Sequence, residues 1–482
     1  MPDKQPTIIF IMADDHGRNA VSCYNRSLIQ TPNIDRLAKD GVRFDAAFAN
    51  NSICSPSRAV LLTGKYNHLC GVEKLNERFD GSQQTFPKLL QRAGYQTAIV
   101  GKWHLASEPT GFDFYSVLPG HGQYVDAPFK ETRQPWGQGD SGGVVHKGYL
   151  TDVITDISID WLKHRDTSKP FCLIIHHKAP HSPHIPAARH KDLFKDTVIP
   201  KPSNLLDDYI GRAPEKVADA LVESRLLINR YPQYKTLKNQ YNGDRAHDTR
   251  LIYQTFMKGY LRLIAALDEN VGRTLDYLNK SGLAQNTIVI YTSDNGFFTG
   301  EHGFFNKMWM YEEGFRLPLL VRLPASFGGV KAGTVNNEMV GMCDIAPTLL
   351  DFAGVKVPAD IQGRSLKPLL TDASATGRDA FYYHYYGIAP NAGSAGEWMG
   401  AHEIMGVRTK TAKLVFYPTW KGGPFWEYFD LVNDPHEMHN LYATPAAQAK
   451  VAELKKKLRA LTGQYQDTAS SKLLDDAEKT RP

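Results

Sequence analysis

The chain has 482 residues, 42% of them hydrophobic and 22% charged, with a formal net charge of +5. That length supports a large domain plus a smaller one, and no apolar run is long enough to span a bilayer. The mild positive charge carries no lysine and arginine run of the kind that grips nucleic acid, and Cys23, Cys54, Cys70, Cys172 and Cys343 are too few and scattered for a disulfide framework.

The first predicted strand is TIIFIM (7–12), followed directly by Asp14-Asp15. Its apolar run is too short for the core of a signal peptide, so an exported protein would have lost its signal from this sequence. Two adjacent carboxylates at a strand end suit either a solvated turn or a cation. A helix is predicted over TPNIDRLAKDG (31–41). Cys54 then sits in CSPSRAVLLTG (54–64), where Ser55, Pro56 and Ser57 offer a capping hydroxyl and a first-turn proline ahead of a buried helix. The positive end of a helix favours an anion or a reactive group; an inert packed thiol is the bland alternative.

A helix over TFPKLLQRAG (85–94) precedes the strand TAIVG (97–101), beyond which Lys102 and His104 stand two apart, on one face if the chain stays extended. They read as an oxyanion-binding charge and a proton carrier, or as a surface lysine and a structural histidine. After a helix over 153–165, the strand FCLIIHH (171–177) leads into HHKAPHSPH (176–184), whose Pro180 and Pro183 flank His181, a candidate general acid. A zinc site there lacks a third ligand at suitable spacing. Residues 190–250 read as an insertion or irregular helical region, and a long helix is predicted over 259–282.

The strand within TIVIYTSDNG (287–296) delivers Asp294 and Asn295, read as a turn or as oxygen ligands. Together with Asp14 and Asp15 they suit a hard cation, calcium before magnesium. LPLLVRLP (317–324) supplies another strand and DIAPTLLDFAG (344–354) another helix. Alternating apolar strands and helices predict an α/β fold: a large mixed, mostly parallel sheet sandwiched by helices. Beyond residue 372 short strands in HEIMGVRTKTAKLVFYPTW and EYFDLVNDPHEMHNLY and a closing helix over 446–465 predict a smaller α+β subdomain, antiparallel sheet plus helix, dividing the chain into 1–372 and 373–482.

CSPSRAVLLTG (54–64) and GYQTAIVGKWH (94–104), together with Asp14-Asp15, the DNG at 294–296, Lys307 in FNKMWMYEEG and the C-terminal WEYFDLVNDPHEMHNLY, make the chain similar to type I sulfatases of the alkaline phosphatase superfamily. The resemblance implies that a formylglycine-generating maturation enzyme oxidises Cys54 to formylglycine, whose hydrate is the nucleophile. It assigns Asp14, Asp15, Asp294, Asn295 and the modified Cys54 to Ca2+, with Mg2+ as the alternative. Arg58 would hold the hydrate, Lys102 and Lys307 the sulfate oxygens; His181 would protonate the leaving alcohol and His104 take a proton from the second hydroxyl.

CSPSRAVLLTGKYNH and GFFTGEHGFFNKMWMYEEGFRLPLLVR are most similar to exo-acting enzymes on sulfated carbohydrate, including hexosamine 6-sulfatases. The resemblance thus implies a sulfated-glycan substrate, while charge and composition imply no nucleic acid partner and no membrane span. It favours a periplasmic or extracellular location, with a cytoplasmic one left open. A phosphonate monoester or phosphodiester hydrolase is the alternative chemistry, although such relatives usually place histidine where Asn295 stands. A noncatalytic sulfated-glycan binder is the other; it would have lost nucleophile, ligands or lysines, and none is lost. His177 and His184 compete with His181 as the acid. Trp103, Trp309 and Trp398 are read as sugar platform or packing, and His302 and His384 carry no assigned role. Loops at 106–150, 190–250 and 385–425, which would set the preferred sugar, match no specific motif.

Overall fold

The computed structural model describes residues 5–137, 141–213, 237, 239–387, 403–420 and 423–479. Its main sheet contains β1 (Thr7–Asp14), β2 (Val42–Phe48), β3 (Gln96–Lys102), β4 (Phe114–Leu118), β5 (Pro128–Glu131) and β6 (Val144–Val145). β7 (Phe171–Pro180), β8 (Thr287–Ser293), β9 (Arg316–Arg322), β10 (Thr334–Asn336) and β11 (Val340–Gly341) complete it. The strand order is β10-β2-β9-β8-β1-β7-β3-β4-β5-β6, with β11 beside β2. The central run β8-β1-β7-β3-β4 is parallel throughout, whereas β9 is antiparallel to both β8 and β2. The sheet is therefore mixed and mostly parallel, as the strand and helix pattern predicts.

All eight residues of β1 are buried. Ile8, Phe10 and Met12 pack into one core with Val60, Leu61 and Leu349; Ile9, Ile11 and Ala13 pack into the other with Leu263, Leu267 and Leu275. Two-residue periodicity is present, yet both faces are apolar because helices cover both, and the strand reads as a continuous hydrophobic run. Each such fully buried side chain contributes about 1.5–3 kcal/mol. Its pattern does not by itself choose a register. The ladder to β7 shifts between Met12 and Asp14, where the chain leaves the apolar layer.

Beyond short strands such as β4, β5, β6, β10 and β11, which the pattern does not signal, three elements differ from expectation in instructive ways. β2 (VRFDAAF) was not anticipated, because Asp45 and the two alanines hide its alternation; it pairs with β9 across an irregularity between Phe44 and Ala47. The long helix runs from Arg245 to Lys280, 36 residues, starting well before 259. Its first turns are polar, and Asp244 caps it by accepting from the His247 amide at 2.6 Å. A last helix, Thr468–Lys479, follows the predicted closing one (Gln448–Gln464).

β12 (Ala380–Tyr385), β13 (Ile404–Thr409), β14 (Ala412–Tyr417) and β15 (Phe425–Asp430) form a separate antiparallel sheet in sequential order. Met405 and Leu414 from it, and Leu454 and Leu458 from the closing helix, join the same core as Leu61 and Leu349. Among the described residues, no helix is long and apolar enough to cross a membrane.

Candidate active site

Parallel neighbours end on the same side of a sheet, so β8, β1, β7 and β3 release their carboxyl ends together. β1 delivers Asp14 and Asp15, β8 is followed by Asp294 and Asn295, β3 ends on Lys102, and β7 runs to Pro180, one residue before His181. Gly101 (φ +102) makes the β3–β7 approach possible: a Cβ there would lie 2.0 Å from the His176 carbonyl oxygen. At the opposite end of the site, a Cβ on Gly296 would meet the Glu313 oxygen at 2.4 Å.

Cys54 is the first residue of a ten-residue helix, Cys54–Thr63, in which every residue is buried. The expected hydroxyl cap is not formed. Ile53, in extended conformation, occupies the cap position without a side-chain hydrogen bond, and Ser57 instead donates to the Asp294 carbonyl. The helix start is thereby tied to the β8 end rather than to itself. Cys54 Sγ lies 3.5 Å from Asp14 Oδ1 and 3.3 Å from Lys307 Nζ. Burial, then Asp14, pushes its thiol up to about 12, so an unmodified Cys54 is neutral at pH 7.

Asp14, Asp15 and Asp294 each place a carboxylate oxygen within 4.8 Å of the others, all buried. Arg58 Nη2 reaches Asp294 Oδ2 at 2.9 Å and Asp14 Oδ1 at 3.9 Å, while Nη1 donates to the Lys102 carbonyl at 2.7 Å. Lys102 donates to Asp14 and Lys307 to Asp15. Burial raises the Asp14 carboxyl, but Lys102, with His181 and Arg58 behind it, outweighs that and holds it well below the usual range. Asp294 goes the other way, to about 7, through burial and the neighbouring Asp14.

Asn295 Nδ2 donates to Asp15 Oδ1 at 2.7 Å, leaving its own Oδ1 buried with no protein partner. Three crowded carboxylates and an orphaned amide oxygen form an oxygen donor set of the kind a hard divalent cation takes. The residues present therefore fit such an ion.

Backbone strain gathers at the same place. Asp15 (φ 66) and His104 (φ 57) both occupy the left-handed region, at about 1–3 kcal/mol each. Asp15 is held there by Tyr260, whose hydroxyl donates to the Asp15 carbonyl at 2.7 Å, and by its own amide, which donates to Asp294 Oδ1 at 3.2 Å. His104 reaches the site through that left-handed residue, not by continuing an extended strand as the spacing implied. It is 4% exposed with Nδ1 unpartnered, and burial followed by Lys102 holds it well below the ordinary histidine range.

Of the three candidate acid histidines, His181 alone comes to the carboxylates, its Nε2 standing 3.7 Å from Asp15 Oδ2. Its Nδ1 donates to the Ser182 carbonyl at 2.7 Å. His181 also falls well below the ordinary range, since burial outweighs the pull of Asp14. His177 is buried on β7, and His184 packs edge-on against Phe256 at 4.6 Å.

Trp103 and Trp309 are buried packing residues, Trp103 Nε1 donating to the Ser107 carbonyl. Trp398 lies outside the described residues, as do parts of the 190–250 and 385–425 loops. His302 Nδ1 pairs with Asp207 at 2.7 Å, and His384 with Asp467 at 3.0 Å, both within buried polar networks.

Two residues at the site had no signal in sequence. Lys178, buried on β7, has its ammonium pushed down to about 7 by burial and by Lys102. His121, in the loop after β4, lies tilted against His104, with ring centroids 4.1 Å apart and planes at 54°. Lys178 sits in a run read for its histidines, and His121 in a loop that matched no motif.

Comparison with known proteins follows the same lines. Residues 6–355 match the sulfatase family pattern, and residues 300–464 match that of the N-sulphoglucosamine sulphohydrolase C-terminal region. An N-acetylglucosamine-6-O-sulfatase of Bacteroides thetaiotaomicron is 43% identical over 96% of this chain and 87% of its own length. A solved structure described as a complex with its substrate D-glucosamine-2-N,6-O-disulfate has a TM-score of 0.87 and 41% identity, covering 96% of this chain and 99% of its own. A phosphonate monoester hydrolase of Agrobacterium radiobacter shares the fold at a TM-score of 0.71 and 23% identity, over 95% of this chain and 96% of its own. With a buried cysteine at a helix start, three carboxylates and two lysines brought to one point, and most of its length matching the pattern, the chain belongs to the sulfatase family.

Proposed function

We propose that this sulfatase removes the 6-O-sulfate from a glucosamine-type sugar at the end of a sulfated glycan, using Cys54 in its formylglycine form and a calcium ion. The observation that carries this reading is the placement of Cys54 Sγ between Asp14 and Lys307, beside the three carboxylates. The 43% identical relative named N-acetylglucosamine-6-O-sulfatase and the structure bound to a glucosamine disulfate support the choice of sugar.

Charge supports the chemistry. Arg58, Lys102 and Lys307 stand against Asp14, Asp15 and Asp294, three against three. A divalent cation leaves a surplus of about +2, which an anionic oxygen nucleophile and a sulfate monoester would neutralise. Asp14, Asp15, Asp294, the free Oδ1 of Asn295 and an oxygen on residue 54 would hold that ion, which when bound favours the deprotonated form of the nucleophile. The hydrated aldehyde at position 54 would supply the oxygen that takes up the sulfuryl group; its C–O bond then breaks as the second hydroxyl loses its proton, so sulfate leaves with that oxygen and the aldehyde is restored.

Arg58, locked between Asp294 and the Lys102 carbonyl, fixes the first helical turn from which residue 54 projects. Lys102 and Lys307 would grip the sulfuryl oxygens, their present contacts to Asp14 and Asp15 passing in part to the cation. His181 rests neutral through burial; an anionic ester beside it raises its proton affinity, so its proton arrives with substrate and is given from Nε2 to the leaving sugar oxygen. His104, also kept neutral, has the free nitrogen needed to accept a proton when sulfate departs.

The fold likeness to a phosphonate monoester hydrolase keeps phosphonate or phosphodiester cleavage as a competing substrate class; Asn295 in place of histidine favours sulfate. A formylglycine-generating enzyme would be the maturation partner, and a periplasmic or extracellular location accords with a glycan substrate. We also propose 1–372 and 373–482 as catalytic domain and C-terminal subdomain.

The test is a panel of sulfated mono- and oligosaccharides with product linkage identified, beside an aryl phosphonate, on protein whose residue 54 has been examined by mass spectrometry. Release of 6-O-sulfate from glucosamine sugars is expected, and Cys54→Ala is expected to lose all measurable turnover while melting as the wild type does. Turnover of phosphonate alone, or full activity in Cys54→Ala, overturns the reading.

A further inference from the structure

We propose that His121 is a further substrate-contacting residue, an N–H donor to the sulfate group at the mouth of the site, because its ring bridges Lys102, His104 and His181. The proposal rests on the sulfate-ester reading above.

His121 follows β4 in a loop between Gly120 (φ 54) and Gly122 (φ 66), two left-handed residues that turn the chain back toward β3 and β7. The return is anchored by Tyr124, whose hydroxyl donates to the His181 carbonyl, and by the Leu150 amide, which donates to the Tyr124 carbonyl at 2.8 Å. The imidazole lies 4.1 Å from the His104 ring and 5.1 Å from the His181 ring, centroid to centroid. It therefore covers both histidines given opposite proton steps.

Lys102 Nζ is 3.4 Å from His121 Nδ1. An ammonium has no lone pair, so Lys102 donates and Nδ1 accepts. That fixes a neutral tautomer with its proton on Nε2. Lys102 is wholly buried whereas His121 is exposed. The ring is thus the solvent-side partner of the buried cation that would hold a sulfuryl oxygen. A sulfate group entering past His121 meets the Nε2–H before it meets the lysine. A histidine with no role at the site would have no reason to lie in ring contact with two site residues and be hydrogen-bonded to a third.

The test measures inorganic sulfate binding by calorimetry and kcat and KM on a 6-O-sulfated glucosamine, using calcium-loaded protein with residue 54 verified. His121→Ala is expected to weaken sulfate binding and raise KM about tenfold, the worth of one hydrogen bond to a charged group, with kcat falling less. His121→Gln, which keeps an N–H donor, is expected to recover most of the loss, and His121→Met, of similar bulk without a donor, is not. Unchanged sulfate binding in His121→Ala, or equal behaviour of the Gln and Met variants, overturns the proposal. If the wild type binds sulfate, His121→Ala does not, and no sulfated sugar is turned over, the sugar assignment falls while His121 stands.

Discussion

Lys413, on β14, is wholly buried yet reaches Glu312 at 2.9 Å, Glu437 at 2.7 Å and the Met310 carbonyl at 2.7 Å. Arg408 adds a second cation to Glu312 at 3.1 Å. At the strand ends of the main sheet, by contrast, Asp14, Asp15 and Asp294 crowd one another, an amide oxygen lacks a partner, and two backbone residues are strained. The first cluster sets Lys413 and Arg408 against Glu312 and Glu437 and joins the C-terminal sheet to the segment that carries Lys307. Against burial, these cations hold Glu312 well below the usual range, although burial still pushes Glu437 up to about 7. The second presents three carboxylates and a free amide oxygen as a donor set that fits a cation. Buried charge thus serves attachment in the first cluster, whose cations sit on carboxylates of another segment, and supports the proposed chemistry in the second, where three crowded carboxylates and an amide oxygen fit a cation.

That contrast breaks first at Lys413. Lys413→Met leaves Glu312 and Glu437 without their shared cation, and denaturant unfolding is expected to show a loss of about 3–5 kcal/mol. A loss below about 1 kcal/mol would mean the cluster is not the joint described.

Asp294 should respond with the opposite sign. Its folded carboxyl titrates at about 7, above the ordinary 3.8, so its contribution favours the fold below the ordinary value and disappears as pH rises toward 7. Metal-free wild type is expected to lose roughly 2–4 kcal/mol more than Asp294→Asn between pH 4 and 8, followed by melting at each pH. Calcium should remove this difference by stabilising the wild type and not the variant. Parallel pH profiles for the two proteins would refute the crowding.

The smallest effect belongs to His384. Burial disfavours its charged form, but Asp467 at 3.0 Å and Glu403 at 3.0 Å outweigh that and raise it. Its stabilisation is full below the ordinary histidine value and fades as pH rises through the higher folded one. The advantage of wild type over His384→Gln, about 1 kcal/mol for a satisfied buried pair, is expected to shrink between pH 6 and 9 in melting experiments. A constant difference would remove the histidine charge from the account.

Legibility followed local pattern. β1, β3, β7, β8 and β9 were readable because an apolar run between breakers is itself the strand signal, and Asp14, Asp15, Asp294 and Asn295 stood out as polar residues at the ends of such runs. Lys307 was legible only through the family likeness of FNKMWMYEEG. β2 was obscured by Asp45, and the start of the Arg245–Lys280 helix by its polar first turns. The Ser cap does not form because Ser57 spends its hydroxyl on the Asp294 carbonyl just beyond β8, a partner distant in sequence. His121 and Lys178 were invisible for the same kind of reason: each is ordinary in its own segment and becomes notable only beside Lys102.

The sequence by itself determined the α/β architecture, the antiparallel C-terminal sheet and the residue types of the reaction centre, because periodicity, breakers and long motifs are properties of neighbouring residues. Only the tertiary structure decided that His181 rather than His177 or His184 meets the carboxylates, that His104 arrives through a left-handed turn, and that His121 lies against Lys102, His104 and His181. Those choices depend on parallel strands bringing their ends together across stretches of chain too long for any local pattern to encode.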